Sequence, residues 1–267
     1  MKKYEFKYLV AQKKLPLLSE YLKPYITSDK YAADRADHSY TVNSIYFDTH
    51  QLDFYHEKLA GLKKRKKLRI RGYNEPEPNS ICFLEVKEKN GPIVQKTRVP
   101  VYFTDLNKLL VHKKYEQNLH FEEKYRLPID QLKFFYHLQK LNLFPVLKIR
   151  YRRQPYFYKF NDQIRFTIDS NIGSSLLIQP ELLYSEAGFV PAMPDSILEI
   201  KTTIGIPHWL HEIILVMGLQ LQPLSKYKIC LESISRYEQK LNRLITGTTK
   251  SYDNLFKIKR RLEQNYA

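Results

Sequence analysis

Polar and apolar residues take turns along the opening stretch, residues 3–10, Lys-Tyr-Glu-Phe-Lys-Tyr-Leu-Val. Lys3, Glu5 and Lys7 fall on one side; Tyr4, Phe6 and Tyr8 fall on the other. Successive side chains of a strand point to opposite faces, so this period of two predicts a strand with one polar and one apolar face. Similar runs predict further strands over 41–48, 66–73, 81–89, 93–102, 145–158, 163–170 and 196–203. Two connections carry turn chemistry: the Asn-Glu-Pro-Glu-Pro-Asn cluster at 74–79, and Asn90-Gly91, a dipeptide favoured in tight hairpins. Strands 66–73, 81–89 and 93–102 therefore read as three consecutive antiparallel strands.

Elsewhere the spacing is helical. Residues 13–25 predict a short helix ending near Pro24, followed by a polar loop over 26–40. A helical turn over 50–59 carries Leu52, Tyr55 and Leu59 and is broken at Gly61. In the stretch 104–142, Leu106, Leu109 and Leu110 predict one helix, and Phe134, Phe135, Leu138 and Leu141 another. Residues 183–195 read as a loop. Pro207 suits the start of a helix over 208–220, and Ser225 is placed to cap one over 226–245. In that last helix Cys230, Ile234, Tyr237, Leu241 and Leu244 form a stripe expected to pack on the sheet. The tail 250–267 is basic and reads as a peripheral helix or a frayed end. No repeat of fixed period and no second domain is evident. The expectation is a single domain over 1–267, with a helical insert at about 104–142 and C-terminal helices over about 207–262.

Charge gives these strands a purpose. The chain of 267 residues has 44 Lys+Arg against 28 Asp+Glu, a formal charge of +16, which favours a polyanionic partner. Gly numbers only 8 while Tyr reaches 21, and neither a Walker loop nor a G-x-G-x-x-G turn is present. The two cysteines, Cys82 and Cys230, match no metal pattern and suit a reduced, cytoplasmic setting. No signal peptide and no membrane span are expected, since the most apolar stretch, within 209–221, is too short and carries His211 and Glu212.

By strand parity one face gathers Glu5, Lys7, Arg69, Arg71, Glu85, Lys87, Lys96, Arg98, Arg165, Glu199 and Lys201, while Leu68, Ile70, Leu84, Val86, Leu198 and Ile200 share the other. Two arrangements fit. The charged face is either the solvated outside of a sheet packed on helices, or the lining of a closed antiparallel barrel. Burying such a lining is costly without a ligand, so the second arrangement requires one. A row of phosphates meets the requirement: arginine forks onto phosphate oxygens and lysine supplies point charge. The interspersed Glu5, Glu85 and Glu199 then find a role as ligands for Mg²⁺ or Mn²⁺, both of which take hard oxygen donors. In strand 145–158, parity sends Lys148, Arg150 and Arg152 outward to solvent if Tyr151 and Arg153 face inward.

The chain resembles the polyphosphate polymerase domain of the vacuolar transporter chaperone (VTC) family, within the CYTH-like triphosphate tunnel metalloenzymes. The segments that carry the resemblance are Lys-Tyr-Glu-Phe-Lys-Tyr at 3–8, Ser-Ile-Tyr-Phe-Asp-Thr at 44–49, Lys-Leu-Arg-Ile-Arg-Gly-Tyr at 67–73 and Phe-Leu-Glu-Val-Lys at 83–87. They continue with Lys-Thr-Arg at 96–98, Tyr-Arg-Arg-Gln-Pro-Tyr at 151–156, Ile-Arg-Phe-Thr-Ile-Asp at 164–169, Leu-Glu-Ile-Lys at 198–201 and Leu-Ser-Lys-Tyr at 224–227. The resemblance implies an α+β fold: a closed eight-stranded antiparallel barrel, the triphosphate tunnel, surrounded by helices. It implies transfer of the ATP γ-phosphate to a growing polyphosphate chain with Mn²⁺ or Mg²⁺.

On the matching positions, Lys226, Arg69, Arg71, Arg153 and Arg165 would take the catalytic part. Lys7, Lys87, Lys96, Arg98, Tyr151, Lys201 and Ser225 would bind phosphate or nucleotide, and Glu199, with Glu5 and Glu85, would hold the metal. Ser225 and Lys226 would sit at a helix N-terminus, where an anion is favoured. Tunnel hydrolases typically begin Glu-x-Glu-x-Lys, whereas this chain has Lys3-x-Glu5-x-Lys7. The exchange of a carboxylate for a cation favours holding a polyanion over hydrolysis. Three other readings stay open: a tunnel triphosphatase, a polyphosphate-binding subunit without turnover, and, least favoured, a nucleic-acid binder, for which no motif is present. Partners are expected to be ATP and polyphosphate, with the basic final helices offering a dock for an anionic membrane or a membrane protein.

Overall fold

The computed structural model describes residues 4–77, 79–91, 93–112 and 128–246. Lys3, the middle of the predicted helical insert at 113–127 and the predicted basic tail 250–267 lie outside the described residues. Within them the fold is α+β, with ten strands and six α-helices. In chain order these are β1 (Tyr4–Val10), α1 (Leu15–Leu22), β2 (Ile26–Ser28), β3 (Tyr40–Asp48), α2 (Asp53–Leu59), β4 (Lys64–Tyr73), β5 (Ile81–Asn90), β6 (Ile93–Tyr102), α3 (Leu106–His112) and α4 (Pro128–Lys140). Then come β7 (Phe144–Tyr158), β8 (Ile164–Ser175), β9 (Val190–Pro191), β10 (Ser196–Thr202), α5 (His208–Val216) and α6 (Lys226–Thr246).

The strands form one sheet in the order β1-β10-β8-β7-β3-β4-β5-β6, with β2 added to β7 and β9 to β8. The eight predicted strands are all present. The two extra ones are short, and each falls in a stretch read from the sequence as loop, 26–40 and 183–195. The strand order is open, since no pairing among the described residues joins β1 to β6, and the expected closed barrel is not shown.

The chain divides into two compact units, each assembled from separate segments. Unit 1 comprises residues 1–42, 150–173 and 191–229; unit 2 comprises 43–149, 174–190 and 230–267. In unit 1, β1, β8 and β10 turn Tyr8, Val10, Phe166, Ile168, Leu198 and Ile200 onto α1 and α5, which contribute Leu18, Leu22, Leu210, Ile213 and Ile214. In unit 2, Leu68, Ile70, Leu84, Val86, Val99 and Val101 from β4–β6 pack with Leu106, Leu109, Phe134, Phe135 and Leu138 of α3 and α4. In each unit the strands thus bury the apolar half of their alternation and leave the charged half on the opposite face.

Local chemistry explains the corners. Gly91 takes φ +57°, as the Asn-Gly hairpin between β5 and β6 requires. Gly72 serves a close approach instead: a Cβ there would lie 2.5 Å from the Tyr184 hydroxyl. The buried Asp48 carboxylate ends β3 and caps α2, accepting from the backbone N–H of Phe54 at 2.9 Å and of Tyr55 at 3.2 Å. Ser225 Oγ accepts from Lys228 N–H at 3.4 Å, the capping role its sequence predicts for α6.

The stripe on α6 is correct for the buried Cys230 and Ile234, but Tyr237 is half exposed. The side chains of Leu241 and Leu244 lie outside the described residues. No helix among the described residues is long and apolar enough to cross a membrane.

Candidate functional site

Unit 1 brings two predicted sets together. On the first, β1 pairs with β10 so that Lys7 lies opposite Glu199 and Glu5 opposite Lys201. Lys7 Nζ is 2.7 Å from Glu5 Oε1 and 3.4 Å from Glu199 Oε2. The other oxygen of Glu199 pairs with Lys201. Burial opposes both charges, yet the carboxylates hold the Lys7 ammonium above its ordinary value. For Glu199 burial also pushes upward, and Lys201, Lys7, Lys226 and Arg153 outweigh it, keeping the carboxyl well below the usual range.

The second set centres on Asp169 of β8, which is fully buried. Arg153 forks onto it with two hydrogen bonds of 2.7 Å, and Lys226 Nζ reaches Oδ2 at 2.5 Å. Both cations also lie over the Tyr151 ring, Arg153 at 5.3 Å and Lys226 at 4.8 Å from its centroid. Burial would raise the Asp169 carboxyl, but Arg153 and Lys226 hold it below its usual value. Arg165, opposite Lys201 in the register, is tied at 2.7 Å to the buried Asp29 in the stretch between β2 and β3.

Unit 2 arranges its charges in cross-strand rows. One row is Arg69–Glu85–Arg98, by the registers of β4 with β5 and β5 with β6. Glu85 is 2.6 Å from Arg69 Nε, 3.7 Å from Arg71 Nε and 3.4 Å from Arg98 Nε. Burial raises the Glu85 carboxyl, but the three guanidinium groups prevail and bring it down to about 2. Two tyrosines steady the arginines: Arg69 donates to Tyr46 Oη at 2.8 Å and Arg98 to Tyr73 Oη at 2.9 Å. Arg98 also lies 3.6 Å over the Phe83 ring. The next row along the strands is Lys67–Lys87–Lys96. Lysines directly opposite one another repel where no counter-charge lies between them, and each of the three has further contacts of its own.

The sequence reading missed Asp169, Asp29, Tyr46 and Tyr73 as parts of this lining. Asp169 was legible, because it shares parity with Arg165. Tyr46 stands in the quoted Ser-Ile-Tyr-Phe-Asp-Thr segment, but nothing in the pattern pairs it with Arg69. One expectation is overturned. Lys148 is fully buried rather than solvated, donating at 2.9 Å to both Leu182 O and Ser185 O. The backbone of 182–185 covers that face of β7, so parity alone could not send the side chain to water. Arg152 is exposed as expected and pairs with Asp37. Lys66 lies on the opposite face from Arg69, with Glu88 and Lys133 of α4.

For a metal, the donors are uneven. Glu5 and Glu199 converge on a single ammonium, so their oxygens suit a hard divalent cation that displaces it. Glu85 is surrounded by arginines and fits poorly. No three His, Cys, Asp or Glu side chains converge on a metal-sized point among the described residues.

An antiparallel sheet with helices behind its apolar face and rows of cations on the other defines an α+β protein suited to anions. The chain belongs to the VTC domain family, whose model matches residues 2–235. VTC domains are part of the CYTH-like tunnel fold family, and membership points to polyphosphate-related chemistry. No curated protein matches. Among solved structures, the PH1819 protein from Pyrococcus horikoshii OT3 is 15% identical with a TM-score of 0.44, covering 86% of this chain and 99% of that one.

Proposed function

We propose that the whole chain acts as one polyphosphate polymerase domain, moving the γ-phosphate of ATP onto the end of an inorganic polyphosphate chain. The observation that carries this reading is the Lys67–Lys87–Lys96 row beside the Arg69–Glu85–Arg98 row. Cations set in register at this spacing suit a partner with closely spaced negative charge. Phosphoryl transfer needs little covalent chemistry from the protein; it needs charge neutralisation and placement. In this reading Arg69, Arg71 and Arg98 hold phosphate oxygens, with Glu85 keeping the guanidinium groups in register.

Arg153 and Lys226, held ready by Asp169, bind the terminal phosphate at the start of α6, where Ser225 caps the helix. Arg165, Lys7 and Lys201 add charge, and Lys87 and Lys96 carry the growing chain. Glu199 and Glu5 are the residues that would hold Mn²⁺ or Mg²⁺, which supplies charge neutralisation at the transferred phosphate. The sheet would curl into the tunnel that the resemblance implies, in a cytoplasmic protein able to sit against a membrane.

The test is incubation with ATP and Mn²⁺, resolved on a gel. A polyphosphate ladder that Arg71→Ala abolishes is expected. Phosphate release without a ladder would instead mean a triphosphatase. A second reading, a polyphosphate-binding subunit without turnover, is favoured by one observation: Glu5, Glu199 and Glu85 each already carry a lysine or arginine partner. Tight binding without metal and without product would select it.

A further inference from the structure

Unit 1 carries a second feature on the outside of its helical layer. A groove of about 450 Å³ runs between α1 and α5, lined by Glu20, Tyr21, Pro24, Tyr25, Trp209, Glu212, Ile213 and Val216. Its composition is opposite to that of the chain. The protein has a net charge of +16, yet the only charged residues lining the groove are Glu20 and Glu212, both exposed. Glu20 has no ion-pair partner among the described residues. Glu212 has only His208, 3.7 Å away, a cation only when protonated.

The groove is built around an aromatic platform. Tyr25 and Trp209 stack with ring centroids 4.0 Å apart and planes 12° from parallel. Tyr158 stacks on Trp209 at 5.3 Å. The buried indole N–H of Trp209 finds no acceptor among the described residues. Tyr21 and Val216 of the lining keep large exposed apolar surfaces, as do Leu17 and Leu215 on the same two helices. Apolar surface exposed at a groove suits an interaction site.

We infer that this groove binds an extended, arginine-bearing segment of a partner protein. Three properties converge on that occupant. The exposed aromatic surface of Tyr21, beside the Tyr25–Trp209 stack, suits a guanidinium plane or a proline ring. Carboxylates at Glu20 and Glu212 fork onto arginine. An extended proline-containing segment is already close to its bound shape and loses little entropy on docking. The same two carboxylates repel polyphosphate, nucleotides and anionic lipid, so the groove is distinct in ligand from the cationic strands. It does not rest on the proposed polymerase activity.

Trp209 is the single tryptophan of the chain, which makes the test direct. The probe is a fluorescein-labelled peptide of alternating proline and arginine, titrated with the full chain at low salt. A saturable rise in anisotropy is expected, together with a change in the emission of Trp209 when unlabelled peptide is used. A peptide of alternating proline and glutamate should not bind. The double substitution Glu20→Gln, Glu212→Gln should weaken binding by about tenfold or more, the worth of a charge-assisted hydrogen bond. Both residues are exposed, so the variant's melting temperature should match the parent's; Tyr21→Ala is a second variant that removes aromatic surface at the same place. The inference is overturned if the arginine peptide does not saturate, or if the double variant binds it equally well. It is also overturned if the glutamate peptide binds, or if the chain self-associates through this face and excludes the peptide.

Discussion

Across the strands from Lys7 lies Glu199, and across from Glu5 lies Lys201; across from Lys67 lies Lys87, and across from Lys87 lies Lys96. Unit 1 has neutralised its own lining. Each buried cation there has a carboxylate at hydrogen-bond distance, and Asp169 serves two of them. Unit 2 sets Glu85 among three arginines in one row and places Lys67, Lys87 and Lys96 opposite one another in the next. Paired charges fix side chains in place at a desolvation cost, whereas like charges in register cost stability until an anion arrives. The first arrangement suits orienting a reacting group and the second suits holding a polymer of variable length.

The largest expected effect tests the self-neutralised side. Asp169→Ala strands Arg153 and Lys226 without their counter-charge, and should cost about 3–5 kcal/mol of stability, read by urea denaturation. If the loss is under about 1 kcal/mol, the pairing in unit 1 is not what holds those cations. Next, Arg71→Ala should lower ATP-dependent chain growth by about 10²–10³-fold, the cost of removing one oriented donor from a charged transition state, and should also lower the melting temperature, because Arg71 is buried beside Glu85.

A pH titration sharpens the row around Glu85. Its folded value lies below the unfolded one, falling from the usual 4.5 to about 2. Its contribution is therefore complete above pH 4.5 and is lost as pH falls toward 2. The full shift is on the order of 3 kcal/mol, and Glu85→Gln should flatten this part of the stability profile. The smallest effect is on binding alone. Lys87→Gln removes one charge from the lysine row and should weaken the binding of polyphosphate and make it less dependent on salt. Unchanged binding and salt dependence would break the contrast between the units.

Much of this arrangement is legible in the sequence, for a physical reason. The period of two assigns faces, and it placed Arg69, Glu85 and Arg98 together and Lys66 away from them. Asn90-Gly91 fixed the hairpin that sets their register. What parity cannot supply is the third dimension. It did not reveal that Asp29, from a stretch read as loop, would reach Arg165. Nor did it show that the backbone around Leu182 would seal Lys148 inside. Closure of a sheet is equally beyond it, since alternation reads the same on an open sheet as on a barrel.

The lysine row also has a practical side. A folded state that binds a polyanion gains stability in proportion to the logarithm of its concentration. The melting temperature should therefore report the polyanion concentration around the protein. On the proposed reading, protein from a cell extract should melt higher before a high-salt wash than after it, and the wash should carry off polyphosphate held at Lys67, Lys87 and Lys96.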